Sequence, residues 1–371
     1  MVKQTVNKGL FKASLVALSL ALFFSITFTG CTQPAPRNQS QKDKNSEPIK
    51  KGKGPLLPPE ISNLDLPTDL EFSEDGTLFF TEKTGSLRVV KNGKLQSDPV
   101  VTFNVPSILG YHETGLLGLA LHPRFSRNNL IFVYYTYRSS GKLYNRVVRF
   151  NWRRPRKQTI IVDKIIASRI HDGGKLVFGP DKKIYVSVGE AGQPQLSRRT
   201  NSPNGKILRL TDRGQIPEDN PFPGSPVFAY GLRNVFGLAF DSLGLLYATE
   251  NGPEKNDEIN LIEAGADYGW PIETGVGSGR FKRPLATFRE SIAPTGIVFY
   301  DKKRLGSLRN KLVFGDYNGG NLYSLDPYKG GSSPKIAISF EDGITAIAVS
   351  PDGALYVATE SDIKRVDKIK P

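Results

Sequence analysis

Val349-Ser350-Pro351-Asp352-Gly353-Ala354-Leu355-Tyr356-Val357-Ala358-Thr359-Glu360 reads as two β-strands folded about an Asp-Gly turn. Asp-Gly between alternating apolar residues is a strong hairpin signal, because glycine takes the positive φ a tight turn requires. The pattern recurs as F-S-E-D-G-T-L-F-F-T-E at 72–82, F-G-P-D-K-K-I-Y-V-S-V-G-E at 178–190 and F-D-S-L-G-L-L-Y-A-T-E at 240–250. The turns fall at Gly76, Lys182, Gly244 and Gly353, so the gaps are 106, 62 and 109 residues. Propeller blades run to roughly 40–50 residues. Two gaps therefore hold two blades each, and the middle gap holds one blade with an insertion. The spacing predicts an all-β propeller of five or six blades.

Outside these hairpins the composition agrees. The 371 residues include 37 Gly and 26 Pro, as many tight turns demand, and helical periodicity is scarce beyond the N-terminus. One cysteine excludes an internal disulfide and any multi-cysteine metal centre. The net charge of +14 suggests an anionic partner, but residues 1–54, with nine Lys/Arg against two Asp/Glu, hold half of that excess. The densest basic run beyond them, Trp152-Arg153-Arg154-Pro155-Arg156-Lys157, is short, broken by proline and without interleaved aromatics. It reads as a solvated loop, so no nucleic-acid partner is expected.

Residues 1–31 read as an export signal: Lys3, Lys8 and Lys12, then an apolar stretch from Ala13 to Phe28 that is short for a spanning helix. Phe28-Thr29-Gly30-Cys31 resembles a bacterial lipobox, with Phe28 where leucine is usual, which would put a lipid on Cys31. The alternative is an uncleaved N-terminal anchor; both place the folded part outside the cytoplasm. Residues 32–58 have almost no large apolar side chains and are expected to form a tether. The propeller is expected over 59–371.

Only three histidines are present, so a general base working near neutral pH has few candidates. His171 stands before a strand in Ile170-His171-Asp172-Gly173-Gly174, and Glu190 closes the next one. A carboxylate returning to a histidine at a strand end fixes its tautomer and stabilises its cation, an acid/base unit. Read without that partner, His171 is a loop histidine capping a turn. Of the carboxylates ending the four hairpins, Glu82 and Glu360 are expected to be solvated strand ends.

Three strings are more specific than a propeller in general. They are His112-Glu113-Thr114-Gly115-Leu116 through His122-Pro123-Arg124-Phe125, the His171 stretch, and Tyr230-Gly231-Leu232-Arg233-Asn234 through Glu250-Asn251-Gly252-Pro253 and Asp257-Glu258-Ile259-Asn260 to Tyr268-Gly269-Trp270-Pro271. Together, over about 64–366, they resemble the glucose/sorbosone dehydrogenase family of soluble aldose dehydrogenases that use pyrroloquinoline quinone (PQQ). The resemblance implies a six-bladed β-propeller that oxidises the C1 hydroxyl of an aldose to a lactone and passes electrons to an external acceptor. It makes His171 the base, with Glu190 as its orienting partner one methylene longer than the family's Asp. It places Glu113, Gln195, Arg233 and Asn234 at PQQ, with Arg233 also at the reacting centre. Gly252, Pro253, Asp257 and Glu258 match its Ca²⁺ loop, the first two offering backbone carbonyls and the acids either ligating or stiffening the loop. His122 reads as structural, and His112 fits either role.

The chain also departs from the family. Where a lysine is usual it has Asp316-Tyr317-Asn318-Gly319-Gly320, and where R-x-R-D is usual it has Gly343-Ile344-Thr345-Ala346. Ser291-Ile292 stand where aromatic contacts are usual. Three cations that would meet the PQQ carboxylates are thus missing. A rival reading follows: a non-catalytic propeller that binds carbohydrate or protein, as in the hedgehog-interacting relatives. A third has Arg198, Arg199 or Lys206 anchoring the cofactor instead.

Overall fold

A computed structural model describes residues 57–106 and 113–369. The export signal, Cys31, nearly all of the tether and His112 lie outside the described residues. Six antiparallel sheets are present, and they form a six-bladed propeller. The innermost strands are Pro67–Phe72, Leu116–Leu121, Gly173–Phe178, Val235–Phe240, Pro294–Tyr300 and Ala346–Val349, and each touches the next around a ring. Blade 6 takes its outermost strand, Glu60–Ile61, from the start of the domain, where Ile61 pairs with Ile363. That exchange closes the ring and leaves no open blade between first and last.

Alternation within each strand builds the core. Phe79 packs into the cluster between blades 1 and 2, while its neighbours Leu78 and Phe80 pack between blades 1 and 6. The second strand of each blade is sandwiched in this way, which is why Leu78–Glu82, Ile184–Val188 and Leu246–Glu250 are buried at every position. The four hairpins share one turn, closed by a residue in the left-handed region: Gly76 (φ 84°), Gly244 (82°), Gly353 (86°) and Lys182 (62°). The wide gaps do hold two blades each. In blade 2 the turn is replaced by a segment containing the helix Phe125–Asn128, and in blade 5 by one containing the short 3-10 helix Gly306–Leu308.

Two features shape the end of the channel where the innermost strands begin. Five of those strands carry a bulge at their start, between Pro67 and Asp69, Leu116 and Gly118, Gly173 and Leu176, Val235 and Gly237, and Pro294 and Ile297. Bulges turn side chains out of the regular pleat. Neighbouring strands also approach so closely that side chains are excluded: a Cβ at Gly118 would stand 1.9 Å from the Gly174 carbonyl oxygen. Among the described residues no helix is long and apolar enough to cross a membrane.

Candidate active site

The starts of the innermost strands and the ends of the second strands converge on a cavity of about 310 Å³. All six blades contribute to its wall, which includes Lys83, Glu113, Lys175, Asn251, Tyr317 and Thr345. A propeller is expected to gather its blade ends at one end of the channel, and which side chains meet there is set only when the ring closes.

His171 stands beside this cavity, between wall residues Glu113 and Gly173. Its backbone is left-handed (φ 61°), a conformation costly for a side-chain-bearing residue and held only by its surroundings. The His171 N–H donates to Glu113 Oε2 at 2.8 Å, and its carbonyl accepts the Ala191 N–H at 2.9 Å. Gly189 is needed here, since a Cβ would lie 2.0 Å from the His171 carbonyl oxygen. The ring is hydrogen-bonded through Nδ1 to Glu190 Oε1. Glu190 is 1% exposed, its N–H donates to the Arg233 carbonyl, and its Oε2 has no partner among the described residues. Nε2 has no partner among the described residues, and 14% of the side chain is accessible.

Glu113 is a hub. Its Oε2 accepts from the N–H groups of His171 and Asp172 and from Asn234 Nδ2 at 2.9 Å. Asn234 is buried and also accepts the Gly173 N–H through Oδ1, so it ties blade 4 to blades 2 and 3. Arg233 donates through Nη1 to the Asn251 carbonyl and lies 5.5 Å from the Trp270 ring. Burial lowers its pKa, with Glu190 and Glu113 the leading opposing charges. Gln195, in the 3-10 helix Pro194–Arg198, is exposed and absent from the cavity wall.

Sequence reasoning missed Asp172, whose neighbour drew the attention. It is 1% exposed, accepts from Asn145 Nδ2 and the Ser168 N–H, and leaves Oδ2 without a partner among the described residues. Burial pushes its pKa up to about 8, and Glu113 adds to the shift.

Residues 251–256 form a tight loop at the rim. Asp257 holds it: Oδ1 accepts the Gly252 N–H at 2.7 Å, and Oδ2 accepts from Ser291 Oγ and the N–H groups of Ile292 and Ala293. Asp257 is fully buried. Ser291 and Ile292, which replace expected aromatic contacts, thus clasp this loop to blade 5. Glu258 accepts from the Gly275 N–H and from Asn260 Nδ2, and the same Asn260 nitrogen reaches Glu250. Neither the Gly252 nor the Pro253 carbonyl accepts a hydrogen bond among the described residues. No group of three or more His, Cys, Asp or Glu gathers there as a metal cage, again among the described residues.

Several sequence expectations change. Glu82 is 2% exposed and paired with Arg88 at 3.3 Å, so it is a buried brace and no solvated strand end; Glu360 is exposed and bonded to the Tyr317 hydroxyl. Arg198 pairs with Asp267, and Lys206 is fully buried with its ammonium on the Leu196, Ser197 and Asn204 carbonyls. Arg199 is exposed, and none of the three reaches the cavity wall. His122 is structural, with Nδ1 accepting from the Arg124 N–H and its ring packed against Phe132 and Phe178.

The sequence profile of the glucose/sorbosone dehydrogenase family matches residues 64–366. The aldose sugar dehydrogenase YliI of Escherichia coli is 29% identical over 339 residues, covering 83% of this chain and 91% of that protein. The quinoprotein glucose dehydrogenase B of Acinetobacter calcoaceticus is 35% identical over 251 residues, 58% of this chain and 52% of that one. Among solved structures, the PQQ-bound form of the aldose sugar dehydrogenase from Streptomyces coelicolor superposes with a TM-score of 0.72 at 30% identity, over 82% of this chain and 94% of that one. With most of its length matched and the same six-bladed fold, the chain belongs to the glucose/sorbosone dehydrogenase family.

Proposed function

We propose that this protein oxidises the C1 hydroxyl of an aldose to the lactone, with PQQ as its cofactor, Ca²⁺ at the 251–256 loop and an external electron acceptor. The observation that carries the reading is the His171–Glu190 pair: an imidazole whose Nδ1 is held by a buried carboxylate and whose Nε2 has no partner among the described residues. The residues fit the cofactor in two respects. Two carbonyls with no hydrogen-bond donor among the described residues, those of Gly252 and Pro253, are oxygen ligands of the kind a hard cation takes. The cavity wall also carries an ammonium group, Lys83, that has no side-chain partner among the described residues, the other wall lysine, Lys175, being held by Asp69.

The chain's own part in the reaction follows from the geometry. His171 Nε2 takes the proton of the C1 hydroxyl as hydride leaves the same carbon, so no carbocation has to form. Glu190 keeps the proton of the neutral ring on Nδ1 and stabilises the imidazolium that results. Glu113 and Asn234 fix the strained backbone under His171, so the ring needs little reorganisation. Arg233, which donates to the carbonyl of wall residue Asn251, would hold the edge of the cofactor, while Gln195 stands exposed on its 3-10 helix away from the wall. Gly252 and Pro253 would ligate the cation, while Asp257 stiffens their loop and Glu258 supports it from behind. When bound, PQQ supplies the two-electron acceptor and the cation polarises it.

Export through residues 1–31 and attachment through Cys31 belong to the same proposal, supported by the N-terminal sequence. The test of the chemistry is His171→Ala. Turnover is expected to fall about 10²–10⁴-fold, the usual contribution of a general base, with PQQ affinity retained. Activity like the unmodified protein's in that variant would remove His171 from the mechanism.

A further inference from the structure

The part of the cavity wall where the family's cations would stand is neutral. Blades 5 and 6 contribute Ala293, Thr295, Tyr317 and Thr345 to it. Among the described residues the only cations on the wall are Lys83 and Lys175, and their situations differ. Lys175 is already matched: its ammonium lies 2.5 Å from Asp69 Oδ1, and the Glu71 carboxyl, pushed up to about 7 by burial, lies nearby. Lys83 makes no side-chain hydrogen bond or ion pair among the described residues. Glu113 and Glu360 act on it only as nearby charges, the former held by three N–H donors and the latter by Tyr317.

Lys83 is also fixed in place. Its N–H donates to the Leu66 carbonyl and its carbonyl accepts the Leu116 N–H, pinning it between blades 1 and 2. Gly115 (φ 150°) packs against its stem; a Cβ there would come 2.5 Å from the Lys83 carbonyl oxygen and 2.7 Å from its Cγ. Burial lowers the pKa of its ammonium, the mark of a cation drawn out of water without a full partner. A desolvated ammonium is stabilised most by an anion arriving in the same cavity.

We infer that Lys83 is the anchoring cation of this cavity, binding a carboxylate of the ligand in place of the lysine and arginines that the last two blades lack. The inference rests on the proposed function for the identity of that ligand, PQQ. The lack of a side-chain partner for Lys83 among the described residues does not depend on it. Lys83 positions the cofactor and takes no part in proton transfer.

The experiment measures binding of PQQ with Ca²⁺ to the unmodified protein, Lys83→Gln and Lys83→Arg, by fluorescence quenching at low and high salt. Benzene-1,3,5-tricarboxylate serves as a non-quinone probe, read by the shift in Tm. A charge-assisted hydrogen bond contributes about 1.5–3 kcal/mol, so Lys83→Gln is expected to weaken PQQ about 10- to 100-fold. Lys83→Arg should stay within about threefold. The salt dependence should also flatten in Lys83→Gln. Equal PQQ affinity in Lys83→Gln and the unmodified protein overturns the inference. If the unmodified protein ignores PQQ but the tricarboxylate raises its Tm and not that of Lys83→Gln, the quinoprotein reading fails while the anion site stands. No response to either anion sinks both.

Discussion

At His171 the backbone and the chemistry are set by the same contacts. The residue sits in the left-handed region, where a histidine stays only if neighbours hold it, and the holders are Glu113, Ala191 and the absent side chain of Gly189. The adjacent Asp172 gives a second prediction. Its carboxyl, ordinarily near 3.8, is pushed up to about 8, first by burial. Between those two values the unfolded chain releases the proton while the folded protein keeps it. Stability therefore falls as pH rises from about 4 to 8, and the whole penalty is present above 8. Asp172→Asn keeps the oxygen that accepts from Asn145 and Ser168 and carries no charge beside Glu113. Its Tm should exceed that of the unmodified protein by a margin that widens between pH 4 and 8 and then levels off. A margin that does not vary with pH would show that Asp172 is ionised in the fold like any surface carboxylate.

The informative element is the 251–256 loop with its clasp. Asp257 accepts four hydrogen bonds, from Gly252, Ser291, Ile292 and Ala293, and so joins blade 4's loop to the entry of blade 5. Asp257→Ala strands those half-buried donors, and a loss of about 1–3 kcal/mol is expected in denaturant unfolding. Because the loop carries the Gly252 and Pro253 carbonyls, Ca²⁺-dependent PQQ binding should weaken with it. A variant that loses stability but binds PQQ with unchanged Ca²⁺ dependence would separate the loop from the cation. Elements such as this were only half legible in the sequence. The string Asn256-Asp257-Glu258 marked the loop, but acids beside a cation loop read equally as ligands or as struts. Only the donors around Asp257 favour the strut. The hairpins were readable because Asp-Gly encodes a positive φ locally. Blades 2 and 5 were not, because a short helix replaces that turn in each. The closing strand Glu60–Ile61 is two residues long, below any periodicity.

On the scale of the whole molecule, six blades bring residues from Leu66 to Thr345 to one cavity. Proximity of that kind has no local sequence signal. His171 and Glu190 were found because histidines are few and both residues flank hairpin strands. Lys83 was not, since a lysine after a strand end usually faces solvent and its place on the wall exists only in the closed ring. The missing basic residues of blades 5 and 6 make cofactor binding the claim on which the functional account turns. The most direct measurement is titration of residues 55–371 with PQQ in the presence and absence of Ca²⁺, followed by dye reduction on a panel of aldoses. The account predicts Ca²⁺-dependent binding, a Tm that rises with PQQ concentration as a native-state ligand requires, and turnover of at least one aldose. A protein that stays folded yet binds no PQQ at micromolar concentration would contradict it, leaving a propeller that binds carbohydrate or protein without catalysis.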